Sequence, residues 1–353
     1  MILKKRLRVG IAGYGVVGKR RHHFLDLHDS FEVVGVCDQK FSGFGSLKQG
    51  VNYYHNYQEL LDGERLDVLF VCLTNDIAPE VTIAGLRNGL HVFCEKPPGR
   101  TVGDIIQVRR EETIRPHLKL KYGFNHRYHD SVREALRLIE SQSLGKILNM
   151  RGIYGKSIIT SFESDWRSKR SIAGGGILLD QGIHMVDLMR LFAGEFQDYH
   201  SFVRNDFWNY DVEDNAYALM KSRSGIVAFL HSTATEWRHR FQLDITMTQG
   251  TLVLSGILSG SKSYGQEMLK VVYRGDEDGG NPKEQTTSYI KDNSWADEID
   301  EFAKCILNNE RIVHGSSLDA LRTMEMVYNI YLADPEWSNQ FGIQSEKERK
   351  MEL

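Results

Sequence analysis

The sequence predicts two domains, an α/β domain with a doubly wound parallel sheet over residues 1–125 and an α+β domain over residues 126–353. Up to residue 125, short apolar strands alternate with helical segments, which is the order of parallel β-α-β units. From about Tyr128 the pattern changes to longer strand-like runs separated by turn signals, as in antiparallel sheets. The 353 residues are enough to bury two separate cores.

The composition argues against several classes of protein. Hydrophobic residues make up 41% and charged residues 26%, and the net charge of −3 gives no support for a nucleic-acid partner. Apolar runs stay well short of the roughly 18 residues that cross a bilayer, so we expect no membrane partner. The four cysteines, Cys37, Cys72, Cys94 and Cys305, form no C-x-x-C pair. We therefore expect buried free thiols, no metal site and a cytoplasmic location.

The first motif lies between two predicted strands. The strand Leu7–Ala12 leads into Gly13-Tyr14-Gly15-Val16-Val17-Gly18 and a helix to about Leu27, and the strand Phe31–Cys37 ends at Asp38. Glycines at these positions allow a tight turn, approach of a pyrophosphate to the backbone, and close packing of helix on strand. The pattern predicts a Rossmann dinucleotide domain whose cofactor contacts include Gly13, Gly15, Val16, Val17, Gly18 and Asp38.

Asp38 indicates which nicotinamide cofactor is preferred. Its carboxylate can accept hydrogen bonds from the ribose hydroxyls of NAD, whereas the 2′-phosphate of NADP meets a like charge. Lys40 offsets part of that charge, so NADP is the less favoured cofactor. The basic residues Lys19, Arg20 and Arg21 are predicted to form the solvated face of the first helix.

Two later strands end in polar loops. Leu66–Leu73 ends at Thr74 and Asn75, and Leu90–Cys94 ends at Glu95, Lys96 and Pro97. Ligands of open parallel sheets bind beyond the carboxyl ends of the strands, so Thr74, Asn75, Glu95 and Lys96 are further predicted cofactor contacts. Lys96 can also polarise a substrate oxygen or transfer a proton.

The second domain contains six strand-like runs: Lys146–Tyr154, Phe196–Asn205, Asn215–Lys221, Gly225–Thr235, Gln242–Thr248 and Thr251–Ser255. Ser259–Asn293 is rich in glycine, serine and charge and is predicted to form loops around one short strand. Helices are predicted near Ala296–Leu307 and Leu318–Leu332.

A polar pair interrupts an apolar segment of the second domain. In Gly174–His184, Asp180 and His184 are four residues apart, so at helical spacing both side chains emerge on one face. A carboxylate and an imidazole are costly to bury without a task or partners, which suggests half of an acid/base site. Asp187, one turn further on, is an alternative partner for His184.

These motifs resemble the glucose–fructose oxidoreductase/inositol dehydrogenase (Gfo/Idh/MocA) family. The resemblance rests on Gly13–Gly18, Glu95-Lys96-Pro97, and Gly174–Gly176 leading to Asp180 and His184. Phe124–His129 and Asp165-Trp166-Arg167 also match. One departure is Ala78, at a position where this family usually has histidine.

The resemblance implies a fold, a partner and an activity. The C-terminal domain is expected to contain one large, open, mainly antiparallel sheet through which homodimers or homotetramers form. The expected enzyme is an NAD(P)-dependent sugar dehydrogenase or reductase that transfers a hydride between a nicotinamide cofactor and a secondary alcohol or ketone on a sugar ring. A nucleotide sugar in glycan biosynthesis is the first expectation for the substrate, and a free sugar or inositol is the alternative. A non-catalytic NAD(H)-binding sensor is the alternative of another class.

The resemblance also places the catalytic residues. The family's lysine, aspartate and histidine fall on Lys96, Asp180 and His184. Our hypothesis is that His184 is the general base and that Lys96 hydrogen-bonds the reacting oxygen. Asp180 is expected to orient them or a neighbouring hydroxyl and to raise the basicity of the histidine. Further residues are predicted to bind the substrate together with His184: Asn125, Arg127, Tyr154, Trp166 and Arg167. The sequence assigns no role to His126 or His129.

Overall fold

The computed structural model describes residues 6–47, 50–159, 165–259, 263–275 and 280–344. These residues divide into two compact units. The first consists of the described residues up to Asn125 together with Ser294–Leu321, and the second of His126–Asn293 with the described residues from Arg322 onward.

The first unit is an α/β unit built on a mainly parallel sheet. In its described part, seven strands run in the order β3-β4-β2-β1-β5-β6-β7, and β3–β4 is the antiparallel pair. The elements are β1 (Leu7–Ala12), α1 (Val16–Asp26), β2 (Phe31–Cys37), β3 (Gly45–Ser46), β4 (Asn52–Tyr54), α2 (Tyr57–Gly63), β5 (Val68–Val71), α3 (Ala78–Arg87), β6 (His91–Cys94), α4 (Val102–Thr113) and β7 (Leu120–Tyr122).

The second unit is an α+β unit with one large sheet. Among its described residues, eight strands run in the order β15-β14-β13-β12-β8-β11-β10-β9, with β8 and β11 parallel and the other neighbours antiparallel. The helices and strands that follow β7 in the chain, among them α8 of the first unit, are α5 (Asp130–Glu140), β8 (Ile147–Gly155), α6 (Arg170–Ala173), α7 (Ile183–Ala193), β9 (Phe196–Arg204), β10 (Asn215–Ser222), β11 (Val227–Thr233), β12 (Arg240–Met247), β13 (Gly250–Ser255), β14 (Glu267–Tyr273), β15 (Lys283–Tyr289), α8 (Ser294–Leu307), α9 (Ser317–Leu332) and α10 (Pro335–Gln340). The predicted fold class is confirmed.

α7 packs closely on the second sheet. A Cβ on Gly152 in β8 would lie 2.5 Å from Met189 Cε and 2.8 Å from Met185 Sδ, so the glycine makes room for this helix. The inward residues of β12 (Phe241, Leu243, Ile245 and Met247) are buried, as the alternating pattern predicts.

The structure corrects the prediction for residues 259–293. Their described part contains two seven-residue strands, β14 and β15, where one short strand was predicted. β15 was missed because it lies at the edge of the sheet. It pairs with β14 along its whole length through its backbone, yet nearly all its side chains are exposed and polar. An edge strand of this kind carries no apolar alternation.

The helix α8 explains a difference from the predicted domain boundaries. Ile299, Phe302 and Ala303 belong to the same core as β1, β2 and β5. Phe302 meets the rings of Phe70 and Phe93 edge to face, at centroid distances of 6.0 and 5.6 Å. Residues 294–321 therefore return to the first unit, whereas the sequence assigned all of 126–353 to the second domain.

Candidate active site

The loop between β1 and α1 has the geometry of a phosphate cradle. Gly13 has a φ of +92°, and a Cβ there would lie 2.3 Å from the carbonyl oxygen of Cys72. A Cβ on Gly18 would lie 2.0 Å from the carbonyl oxygen of Gly13. At Gly15, by contrast, no described heavy atom lies within 4 Å of the Cβ position. The loop is closely packed on its protein side and open at the start of α1, where the helix N-terminus favours an anion.

The other residues predicted to hold the cofactor lie at the start of α1 and after the ends of β2, β5 and β6. Val16 is 78% exposed at the first position of α1, and Val17 follows it. The carboxylate of Asp38 accepts the backbone N–H groups of Tyr14 and Lys40, each at 3.0 Å. These two hydrogen bonds fix the carboxylate next to the glycine loop.

Thr74 and Asn75 follow β5, as predicted. The Thr74 hydroxyl donates to Asp76 at 2.6 Å, and Asn75 is buried. Ala78, at the position of the missing histidine, is the buried first residue of α3.

Lys96 follows β6 and precedes a cis peptide bond to Pro97. Its neighbour Glu95, a predicted cofactor contact, accepts a 2.6 Å hydrogen bond from Arg21 Nε. Arg21 Nη2 donates to Glu298 at 2.7 Å, and the Arg21 and Glu298 side chains are fully buried. Burial raises the pKa of Glu298 to about 7, although the Arg21 charge opposes this.

The burial of Arg21 corrects the prediction that it lies on a solvated helix face. Its guanidinium lies 4.3 Å from the ring centroid of Phe93 and 4.2 Å from that of Trp295, with carboxylates at two of its nitrogens. The aromatic rings and the carboxylates together replace solvent around the charge. Sequence reasoning missed this arrangement because Arg21 directly follows two other basic residues.

Asn125, at the end of the first unit's leading segment, is buried and donates from Nδ2 to Ser294 Oγ at 3.1 Å. Both residues belong to the first unit.

In the second unit, Asp180 and His184 lie where a π-helical turn, Leu178–Gly182, leads into α7. The predicted helical continuity is present, but its first turn is wider than an α-helix, a feature frequent at functional sites. His184 is 5% exposed, and its ring stacks on His126 at a centroid distance of 3.7 Å and an interplanar angle of 11°. His126 Nε2 is 3.0 Å from the hydroxyl of Tyr154, which is also buried.

Asp187, the alternative partner of His184, is engaged by Arg127. Arg127 donates from Nε and Nη2 to the two carboxylate oxygens at 2.7 and 2.6 Å, and Thr323 donates to Oδ1 at 3.1 Å. This bidentate pair is buried. The guanidinium that the sequence assigned to the substrate is therefore directed at Asp187.

Asp180 lies beside two cationic side chains. Lys156 Nζ is 3.3 Å from Oδ2, and Arg167 Nε is 3.8 Å from Oδ1. The Arg167 guanidinium also lies 4.4 Å from the ring centroid of Trp166. Lys156 was not predicted, although it follows β8 directly and is two residues from Tyr154. The structure thus groups Asp180, Lys156 and Arg167 as one charged cluster.

The described residues contain no group of three or more His, Cys, Asp or Glu side chains placed to hold a metal ion. In the same part of the chain, no helix is long and apolar enough to cross a membrane. The four cysteines are free thiols, and burial raises the pKa of Cys37 and of Cys94 to about 12.

A glycine-lined phosphate cradle followed by an acid, with a second unit built on a large open sheet, defines a class of two-unit nicotinamide-dependent oxidoreductases. Residues 7–115 match the oxidoreductase family with an NAD-binding Rossmann fold, and residues 132–253 match the GFO/IDH/MocA C-terminal domain. The two matches together span more than half of the chain. The chain belongs to the Gfo/Idh/MocA family, as its motifs indicated, and its first unit is the family's NAD-binding domain.

Individual relatives are distant. Levoglucosan dehydrogenase of Pseudarthrobacter phenanthrenivorans is 27% identical over 205 residues, 54% of this chain and 52% of that protein. The chain therefore spans about half the length of that relative. D-glucoside 3-dehydrogenase of Escherichia coli is 28% identical over 255 residues, 64% of this chain and 70% of that protein. A solved structure of levoglucosan dehydrogenase with NADH and levoglucosan has a TM-score of 0.81 at 19% identity, covering 95% of this chain and 98% of the other. The structural likeness supports the fold.

Proposed function

We propose that this protein is an NAD-dependent dehydrogenase that reversibly oxidises a secondary alcohol on a polyhydroxylated ring. The observation that carries the proposal is that Lys96, Asp180 and His184 are present where the family resemblance implies catalytic residues, in a chain that also has the complete glycine loop. A protein that only sensed NAD(H) would need the loop alone.

The first unit fits NAD. The open position at Gly15 leaves room for a pyrophosphate against the backbone, and Asp38 presents a fixed carboxylate suited to the ribose hydroxyls. The same carboxylate disfavours a 2′-phosphate. Thr74, Asn75 and Lys96 follow the neighbouring strands and would hold the nicotinamide end. When bound, the cofactor supplies the hydride acceptor or donor, and the protein supplies orientation and proton transfer.

The proton-handling roles are divided among three residues. His184 would accept the proton of the substrate hydroxyl, since imidazole is a suitable general base at neutral pH. Lys96 would hydrogen-bond the same oxygen and stabilise the developing alkoxide. Asp180, held by Lys156 and Arg167, would orient a neighbouring hydroxyl.

The relatives support one of the two candidate substrate classes. Both named relatives act on sugars without a nucleotide, which favours the free-sugar or inositol alternative over a nucleotide sugar. A nucleotide sugar stays the second candidate because Lys156 and the partly exposed Arg167 place positive charge beside Asp180. A diphosphate would use that charge.

The test is the absorbance of NADH formed from NAD in the presence of levoglucosan, D-glucosides, inositols and nucleotide sugars. We expect turnover with one of the free polyols, and a loss of about 10²–10⁴-fold in kcat for His184→Ala and for Lys96→Ala. His117→Ala and Lys304→Ala are controls on exposed residues. If no compound of the panel produces NADH although NAD still binds, the result would favour the non-catalytic NAD(H)-binding sensor. Near wild-type turnover in both active-site variants would refute the assigned roles.

We also propose that the second unit's sheet forms a homo-oligomer, in a cytoplasmic protein whose four free thiols suit a reducing compartment. Phe202, Leu219, Val227 and Phe229 are 72, 50, 40 and 37% exposed on the same face of β9, β10 and β11. An apolar face of this kind suits a second copy of the chain. Phe229→Glu should reduce the mass measured by light scattering to that of a monomer, and an unchanged mass would exclude this face.

A further inference from the structure

His126 has no role predicted from the sequence, yet its ring is in direct contact with that of the proposed base, His184. The rings of His126 and His184 are parallel, 3.7 Å apart, and both residues are less than 10% exposed. Stacked rings do not hydrogen-bond each other through their faces. The influence of His126 on His184 must therefore come from packing and from charge.

Tyr154 is a hydrogen-bond partner of the His126 ring. Its hydroxyl is 3.0 Å from His126 Nε2, and burial raises the pKa of this hydroxyl well above its ordinary value. The hydroxyl therefore keeps its proton and can donate it to Nε2. A nitrogen that accepts this hydrogen bond carries no proton of its own, so the bond favours the neutral imidazole.

We propose that Tyr154 and His126 are positioning residues for His184: Tyr154 keeps His126 uncharged, and His126 offers a flat neutral face that fixes the His184 ring. A charged His126 at this separation would oppose protonation of His184 and weaken it as a base. The inference deepens the proposed function and rests on His184 being the general base. It also moves Tyr154 from the substrate contacts to the support of the base.

Charged groups near His126 and His184 are paired with groups of opposite charge. His129, whose ring lies 5.4 Å from that of His126, is 2.7 Å from Glu267 of β14. Further charged and titratable groups near these residues in the chain or the sheet include Arg127 with Asp187, Lys156 with Asp180, and Tyr264, which donates to Gln181 at 2.6 Å. Each charge among them lies beside an opposite charge. A change of charge on His126 acts directly on His184, because the two rings are only 3.7 Å apart.

The test reads the titration of His184 by NMR of the imidazole C–H protons, with the resonance assigned by its loss in His184→Phe. We expect Tyr154→Phe to let His126 take up a proton and to lower the titration midpoint of His184 by about one pH unit. In the His126→Phe background, position 126 keeps a flat ring but cannot become charged. There the same Tyr154→Phe change should leave the midpoint where it is.

A matched control is Tyr273→Phe. This change also removes a tyrosine hydroxyl from the same sheet, but the hydroxyl donates to Gln285 and not to His126. It should not change the titration midpoint of His184. An unmoved midpoint in Tyr154→Phe, or a shift that persists when residue 126 is phenylalanine, would overturn the proposal. The titration needs no substrate. The predicted shift of the His184 midpoint can therefore be absent while His184→Ala still abolishes turnover. It can also be present if the proposed reaction is wrong.

Discussion

Replacing Arg21 with methionine should destabilise the first unit strongly. The guanidinium is fully buried and forms 2.6 and 2.7 Å ion pairs with Glu95 and Glu298. Methionine fills much of the volume between Phe93 and Trp295 but leaves two carboxylates without their cation. Removing one partner of a buried ion pair costs about 3–5 kcal/mol in the free energy of unfolding. At about 2–4 °C per kcal/mol for a unit of this size, Tm should fall by about 10 °C.

Thermal unfolding above the pKa of Glu298, which is about 7, is the assay. Lys19→Met removes an exposed positive charge from the same helix and should change stability by less than about 0.5 kcal/mol. Adding Glu298→Gln to Arg21→Met removes one of the uncompensated carboxylates and should recover part of the loss. If Arg21→Met unfolded at the same temperature as Lys19→Met, or Glu298→Gln gave no recovery, the buried ion pairs would not have the stabilising role assigned to them.

Three further predictions concern the same unit. Gly15→Ala should keep the wild-type Tm yet lose NADH binding in a fluorescence titration. Gly18→Ala, whose Cβ meets a carbonyl oxygen at 2.0 Å, should lose NADH binding and also about 1–3 kcal/mol in the free energy of unfolding. Equal Tm values for the two variants would contradict this prediction. Asp38→Ser should raise the Kd of NAD, measured by calorimetry, about 10–100-fold, because hydrogen bonds to a charged group contribute about 1.5–3 kcal/mol. The same change should reduce the preference for NAD over NADP, because it removes the carboxylate that repels the 2′-phosphate. The raised pKa of Glu298 means that its contribution to stability is present below pH 4.5 and is lost as the pH rises through about 7. Wild-type protein should therefore lose up to about 3 kcal/mol relative to Glu298→Gln over that range in chemical denaturation, and parallel stability curves would exclude the shift.

The features that local sequence patterns determine were predictable. The glycine loop, α1 and Asp38 lie within about thirty residues, and each position constrains the next through turn geometry and packing. Six of the eight described strands of the second unit, β8 to β13, were also recognisable, because their strand-like runs are separated by turn signals.

Contacts between residues distant in sequence were not predictable in the same way. Arg21 meets Glu298 across 277 positions, and without that partner a third consecutive basic residue is indistinguishable from a solvated one. The stacking of His126 on His184 and the pairing of Arg127 with Asp187 depend on how α7 packs in the second unit. Periodicity placed His184 on a helix, but it could not indicate which side chain covers its ring.

The proposed function requires a hydride to pass from a ring carbon of a polyol to the cofactor. The direct measurement uses the active sugar from the panel, deuterated at the oxidised carbon, with mass spectrometry of the NADH that forms. We expect one deuterium in the NADH that wild-type protein forms, and we expect His184→Ala to form this product about 10²–10⁴-fold more slowly. NADH that carries no deuterium, or NAD that stays unconverted with every deuterated polyol while remaining bound, would contradict it.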